Sequence, residues 1–470
     1  MKKSFLTWLM FCAASQVTYA AAAGGTLTSN TIWSPASGTV MVFSDVIIPA
    51  AITLTIEAGT TVQLTNGVSI QVQNGGTIDI EGNSSNIVHL VPMVGNNNWG
   101  TINSSGASSH LTVRFAELAR GGISLSSGAS GLIEDSYLHD YGSEIVGNSA
   151  GLITMRRIHV NNYSETIFNS GTVVLAEDSL FENILPASGD AFEIQNGPPG
   201  SIIRRCTFRH GIQSNTDALD FNGSTGVFVH DCLIYDFNDK GVSIGTANTA
   251  TDPPARGIVV SNCFIFKVDS GLAVKDFSTA SLYDSTIVNC PYGVRAYEKY
   301  SPYNLTTGGG RFTNGYNNLI WANTNLINPL TNGSVMDFTY SDLQAVWPGT
   351  GNIHADPLFI NLAQLDCRLA SGSPARRTGL LGGDMGANFP VGAPMASSHP
   401  QIQSVVLADG SVKLRFWMDE GKPYHVEWAD FINGPWSTLA SYPNQSLPTL
   451  MEGSDTNVLN NARFYRLVTP

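Results

Sequence analysis

The chain has 470 residues, with 24 basic against 37 acidic side chains and a net charge of −13. That balance argues against nucleic acid as a partner. The length allows one large domain and one small one.

The first residues, "MKKSFLTWLMFCAASQVTYAAAAGG", place two lysines before an apolar run and a small-residue stretch. They predict a bacterial-type signal peptide over residues 1–23, cut near Ala20 to Ala23. The mature protein is then expected to be secreted: extracellular, periplasmic or at the cell surface. No other apolar run is long enough to cross a membrane. Cys12 leaves with the signal, and Cys206, Cys232, Cys263, Cys290 and Cys367 remain. They are odd in number and lack C-x-x-C spacing, so neither a disulfide framework nor a zinc site is expected.

From Asp45, "DVIIPAAITLTIEAGTTVQLTNGVSIQVQNGGTIDIEG" alternates apolar and polar residues over several short strands. The middle of the chain then repeats itself. "LIEDSYL", "VVLAEDSLF", "SIIRRCTF", "VFVHDCLI", "IVVSNCFI" and "ASLYDSTI" each run from an alternating strand through a polar residue to a small one. The small residues are Ser136, Ser179, Cys206, Cys232, Cys263 and Ser285, and from Ser179 onward they lie 27, 26, 31 and 22 residues apart. A second series lies between: "DAFEI", "DALDF", "KGVSI", "SGLAV" and "YGVRA". Short strands at such a period predict a β-solenoid whose rungs bury their apolar sides only by stacking. The three cysteines are expected to form one interior column with the serines.

Alternation in the second series sets Phe192/Ile194, Leu219/Phe221, Val242/Ile244, Leu272/Val274 and Val294 inside. The outward residues are then Glu193, Asp220, Ser243, Ala273 and Arg295 in one column, and Gln195, Asn222, Gly245, Lys275 and Tyr297 in the next. Lys299 extends the last rung. Asp190, Asp217, Asp239–Lys240 and Asp269 fall just before the strands. Gly245 and Ala273 leave room beside the lysine head. The stretch from Lys240 to Arg311 is locally basic, as a groove for an anionic substrate would be. Like charges opposite each other on neighbouring strands are unfavourable, so Asp190, Glu193, Asp217 and Asp220 are a candidate Ca²⁺ set. The bland alternative is that they are splayed, solvated or paired with Lys240.

After "ADPLFINLAQLDCRLASGSPARRTGLLGGDMGA" (355–387), residues 389–400 read as a linker. Residues 401–470 read as a small β-sandwich. Its aromatics (Trp417, Trp428, Trp436, Tyr424, Tyr465) are expected in the core, with a carbohydrate-binding face as the other reading.

The opening rungs and the closing segment resemble those of bacterial right-handed parallel β-helix proteins of the pectin-lyase type, over roughly residues 35 to 387. The fold class is therefore all-β: a right-handed parallel β-helix over 24–388, followed by the sandwich. The placement of Lys275 and Arg295 resembles the chondroitinase-B and alginate-lyase family, where a lysine and an arginine lie one rung apart beside calcium. That resemblance carries over only to Lys275 and Arg295, because the family's full motif is not matched. It implies a polysaccharide lyase that cleaves a uronate-containing polysaccharide by β-elimination; the chain is expected to be a monomer. In that chemistry a cation neutralises the carboxylate next to the abstracted proton. Lys275, its pKa depressed by Arg295 and Tyr297, would be the base. Arg295 would stabilise the enolate, and Tyr297 or Lys299 would serve the leaving oxygen. Asp239 and Lys240 complete the candidate catalytic set; Asn222, Ser243, Tyr300 and Arg311 are the candidate substrate contacts.

Two other resemblances keep alternatives open. "NTD" (215–217), "NDK" (238–240), "DSG" (269–271) and "RAY" (295–297) resemble the rung motifs of polygalacturonases, and imply hydrolysis by paired carboxylates. Lys240 stands where the second aspartate of that family would be, and its histidine is missing. "DALDF", "NDKGVSIG", "SGLAVKDFS" and "YEKY" also resemble β-helix regions attached to spore-coat-type kinases and other surface proteins. That likeness implies a non-catalytic scaffold in which Asp239–Lys240 and Lys275–Asp276 are structural pairs.

Overall fold

A computed structural model describes residues 21–95, 97–185, 189–212, 215–246, 253–299, 308–327, 333–388, 391–392, 402–408, 411–418, 423–429, 435–444, 449–456 and 463–468. Their backbone winds into a right-handed parallel β-helix with three walls. Thirteen strands, from Thr31–Trp33 to Val335–Thr339, stack in parallel as a flat wall. The other two walls merge into one 23-stranded sheet. They join because Val40–Ile48, Leu233–Gly245 and Phe264–Lys275 run round the corner as single long strands. Asp239, Lys240 and Asp269 therefore lie within strands rather than before them.

The predicted register is observed. Phe192, Leu219, Val242, Leu272 and Val294 stack in one interior column, and Ile194, Phe221, Ile244, Val274 and Ala296 in the next. All ten side chains are fully buried. At about 25 cal/mol per Å² of apolar surface removed from water, each such column outweighs the loss of solvent by its backbone groups, which pair rung to rung.

The polar–small dipeptides mark the corner between the flat wall and the second wall. Asp135, Asp178, Arg205, Asp231, Asn262 and Asp284 all take left-handed backbone conformations, with φ between 47° and 57°. Asp and Asn tolerate that region better than most residues. The residue after each one turns inward. Ser179 Oγ, Cys206 Sγ, Cys232 Sγ, Cys263 Sγ and Ser285 Oγ each donate to the carbonyl two residues earlier, at 2.7, 3.4, 3.3, 3.2 and 2.7 Å. The three cysteines thus share one slot with the serines. All five described cysteines are free thiols, and burial pushes the Cys206 thiol up to about 12, which makes it unreactive.

The segment after the last rungs runs back along the second wall. Gly386 N–H donates to Asn317 O, Ala387 N–H to Thr286 Oγ1, Asn388 N–H to Asn262 Oδ1 and Gly392 N–H to Asp231 O. Val391, in the stretch read from sequence as linker, is buried with Leu233, Phe264, Phe266, Val288 and Cys367. This strap explains why the outward positions Leu233 and Phe264 are apolar.

Beyond it, Ile402–Ala408, Ser411–Met418 and Thr449–Asp455 form one antiparallel sheet. Ser437–Tyr442, Tyr424–Ala429 and Phe464–Val468 form another. Leu414, Phe416, Met418, Tyr424, Val426 and Leu467 are the core between them. Tyr424 is in that core and Tyr465 packs against it. Trp428 and Trp436 differ from expectation: they are half-buried beneath the guanidinium groups of Arg463 and Arg466, at 3.9 and 4.3 Å. The Trp417 side chain, and residues 1–20 of the expected signal, lie outside the described residues. Ala21–Ala23 pair with Val40–Val42 in the first rung. No helix among the described residues is long and apolar enough to cross a membrane.

Candidate functional site on the third wall

Each strand of the third wall projects alternate side chains outward, and parallel stacking sets them in columns one rung apart. The first column is Glu193–Asp220–Ser243–Ala273–Arg295. The second is Gln195–Asn222–Gly245, followed by Lys275–Tyr297. Asp190, Asp217 and Lys240 form a third column at the corner, where Asp190 Oδ1 accepts from the Asp217 N–H (2.7 Å) and Asp217 Oδ1 from the Lys240 N–H (2.8 Å).

Carboxyl oxygens of Asp190, Asp217 and Asp220 lie within 4.8 Å of one another. Glu193, expected in this set, stays outside it, its carboxyl held by Gln195 Nε2 at 2.6 Å. Burial raises the Asp190 carboxyl to about 9, with the charges of Asp217 and Asp220 adding to the shift. Burial and Asp220 raise Glu193 to about 7. Asp220 is also raised by burial, against the pull of Lys275. Burial, then the Asp217 charge, raises Asp239.

The cations are committed within the wall. Lys240 Nζ meets Asp239 Oδ2 at 2.5 Å and Asp217 Oδ1 at 3.3 Å. Arg295 reaches Asp269 at 3.5 Å and Ser270 Oγ at 3.4 Å, and its guanidinium lies over the rings of Tyr292 and Tyr297 at 4.8 and 4.6 Å. Among the described residues of this wall the expected basic groove is not formed. Asp190, Glu193, Asp217, Asp220, Asp239 and Asp269 outnumber Lys240, Lys275 and Arg295, because the carboxylates of earlier rungs stack beside the basic stretch.

Lys275 also departs from expectation. The room left by Gly245 is filled by the lysine itself: a Cβ there would come within 2.8 Å of Lys275 Cε. The side chain folds into that gap and donates to Ser243 Oγ at 2.7 Å, leaving Lys275 only 3% exposed. Burial works against its charge, but Asp220 and Asp217 outweigh burial and raise the pKa. The depressed pKa expected from Arg295 and Tyr297 is thus reversed by two carboxylates of one rung, two rungs away. Asp276 is buried as well and accepts from the Lys299 N–H at 2.6 Å, so Lys275–Asp276 is not a surface pair.

Among the candidate substrate contacts, Ser243 is fully buried and Asn222 nearly so. Arg311 is exposed but starts a strand of the flat wall, stacked on Thr279 round the corner from Lys275. Tyr300 lies outside the described residues. Tyr297 remains half-buried. Sequence reading missed Ser270 and Tyr292 as partners of Arg295; alternation gives both the parity of the inward Leu272 and Val294, so no local signal marked them.

Two buried acceptors in this wall, Asp220 Oδ1 and Asn222 Oδ1, have no hydrogen-bond partner. Unpaired buried acceptors are unfavourable by roughly 1–3 kcal/mol each. Three clustered carboxyls, one of them with an unpaired oxygen, beside an unpaired amide oxygen make a hard, all-oxygen donor set that fits Ca²⁺.

A family model described as right handed beta helix region matches residues 144–312, which span every residue of the third-wall site. Among the curated proteins, none matches the chain.

Proposed function

We propose that this chain is a secreted enzyme that cleaves a uronate-containing polysaccharide by β-elimination on the third wall. The supporting observation is the stacking of clustered, partly unsatisfied carboxyls against Lys275, Arg295 and Tyr297 on consecutive rungs. A net-acidic wall accepts a polyanion only if its carboxylates are neutralised, by protons or by a cation. Asp190, Asp217 and Asp220 would hold calcium, with Asp220 Oδ1 and Asn222 Oδ1 as the unpaired acceptors beside it. Bound there, calcium supplies positive charge to offset the substrate's carboxylate.

The remaining work falls to side chains. Arg295, fixed by Asp269 and by two flanking rings, faces the charge that develops on the carboxylate as the enolate forms. Tyr297 is the reachable proton carrier: as phenolate it accepts the proton alpha to the carboxylate. The C–H electron pair becomes the new carbon–carbon double bond as the glycosidic C–O bond breaks. The phenol then returns its proton to the departing oxygen. Lys275, held under Tyr297 by Ser243 and Asp220, is a positioning residue that keeps a fixed positive charge beneath the phenol. Asp239 fixes Lys240 against Asp217.

A second reading has its own observation. Asp190 keeps its proton at neutral pH, while Asp217 is paired with Lys240. A carboxyl acid beside a carboxylate is the arrangement hydrolysis needs. One assay separates the readings. The protein is incubated with alginate, pectate and glycosaminoglycans, with calcium or with chelator. Ultraviolet-absorbing unsaturated ends show elimination; new reducing ends without that absorbance show hydrolysis and overturn the lyase reading. No cleavage of any uronate leaves the protein a scaffold.

A further inference from the structure

The corner between the second and third walls carries a cleft of about 500 Å³ that the acidic site does not use. That is within the range of small-ligand sites, about 300–1,000 Å³. Four consecutive rungs build it. Asn162, Asn183, His210 and Asp236 take left-handed conformations with φ of 55°, 58°, 63° and 66°, which turns their side chains out along one corner. Each has one atom engaged. Asn162 Nδ2 donates to Asp140, Asn183 Nδ2 donates to Asn161 Oδ1 at 2.8 Å, and His210 Nδ1 meets Asp236 Oδ2 at 3.1 Å. Asn183 Oδ1, His210 Nε2 and Asp236 Oδ1 have no partner among the described residues. Ile184, Leu185 and Ile212 supply an apolar side to the same cleft. Ile212 is 59% exposed, so its apolar surface is open to a ligand beside the polar side chains of the cleft.

An apolar patch facing amide, imidazole and carboxylate groups matches a sugar ring, which has a C–H face and a hydroxyl edge. Among the described residues no lysine or arginine lines the cleft, and Asp236 would repel a carboxylate. Asp236 precedes Asp239 by three residues in one extended strand. The two are therefore no more than about 11 Å apart, one or two sugar units.

We propose that this cleft is a binding subsite for a neutral pyranose of the glycan whose acidic residues occupy the third wall. The inference rests on the reading of the chain as a glycan-active protein, and it adds that the substrate is mixed rather than a pure polyuronate. The neutral sugar comes either from the backbone or from a branch.

The test uses the full chain, with Ile212→Arg to fill the cleft from an exposed position and His210→Ala as a second variant. Calorimetric titration is run with cellotetraose, mannotetraose, galactotetraose and xylotetraose, none of which carries a uronate. At least one is expected to bind the wild type, and Ile212→Arg to weaken it at least about tenfold with an unchanged melting temperature. His210→Ala should weaken it in the same direction. Binding of none of the four, or equal binding to wild type and both variants, overturns the inference. This readout involves no cleavage, so it fails independently of the elimination assay. On acidic polysaccharides with neutral backbone sugars and on those with neutral branches only, loss of turnover in Ile212→Arg assigns the source. Loss on neither overturns the subsite.

Discussion

The flat wall and the third wall use the same device, outward side chains stacked rung on rung, with opposite results. On the flat wall the column Glu81–Arg114–Glu134–Arg156–Glu177–Arg204 alternates in sign. Its successive contacts run at 3.0, 3.2, 3.4 and 2.9 Å before Glu177 meets Arg204. At the neighbouring corner Arg157 pairs with Asp135 and Arg205 with Asp178. On the third wall Glu193 stacks on Asp220, and Asp190 on Asp217. Opposite charges on adjacent strands stabilise and like charges destabilise. The third wall therefore lacks the alternation that the flat wall keeps from Glu81 to Arg204, and like-charge crowding of that kind is what the proposed cation site would relieve.

The sharpest way to break this contrast is at Tyr297. Tyr297→Phe keeps the ring stacked under Arg295 and removes only the hydroxyl, so activity should fall at least about a hundredfold with little change in melting temperature. Activity equal to wild type on a cleaved uronate would move the proton carrier elsewhere, first to Asp190 and Asp217. Lys275→Met, by contrast, should lower both activity and stability, because it leaves Asp220 without its buried counter-charge.

Calcium comes next. If the carboxyl cluster binds it, saturation at about a hundred times Kd adds about 2.7 kcal/mol, visible as a rise of several degrees in melting temperature. Chelator should reverse the rise, and Asp220→Asn should abolish it. Arg156→Ala on the flat wall should leave the calcium response intact. A melting temperature indifferent to calcium and chelator would leave protons alone to neutralise the wall.

The pH dependence is a smaller effect with a definite sign. Without calcium, Asp190 keeps its proton to about 9 in the folded chain, but only to about 4 when unfolded. The folded state thus binds the extra proton across that window, and stability falls as pH rises from about 4 to about 9. Glu193 adds the same sign up to about 7. Glu117 on the second wall behaves oppositely: hydrogen bonds from His139 and His89 hold its carboxyl down to about 2. Its contribution is present above about pH 4 and is lost as pH falls through 2. In thermal melts across pH, Asp190→Asn should flatten the alkaline slope and Glu117→Gln the acid one.

The smallest effect belongs to the flat wall. Arg156 is 39% exposed, so Arg156→Ala should cost no more than about 1 kcal/mol and should leave activity unchanged. A larger loss of stability, or any loss of activity, would show that the alternating ladder does more than hold rungs in register.

The sequence by itself determined the solenoid, its inward columns and the slot shared by Cys206, Cys232, Cys263 and the serines. A period-2 pattern repeated at a rung's length leaves one register in which every apolar side chain is buried. It also determined which residues face outward on the third wall, because facing follows from alternation alone. Direction and distance along that face were decided only by tertiary structure. Lys275 reads as an exposed base, yet it folds into the gap over Gly245 and is held charged by Asp220 and Asp217, from a rung 55 to 58 residues earlier in the chain. Arg311 reads as a groove residue, yet the corner after Tyr297 carries it to another wall. The docking of Val391 and the cleft at Asn183, His210 and Ile212 likewise arise from contacts between segments distant in sequence. Side-chain charge state and reach depend on the sum of such neighbours, and a local pattern does not contain that sum.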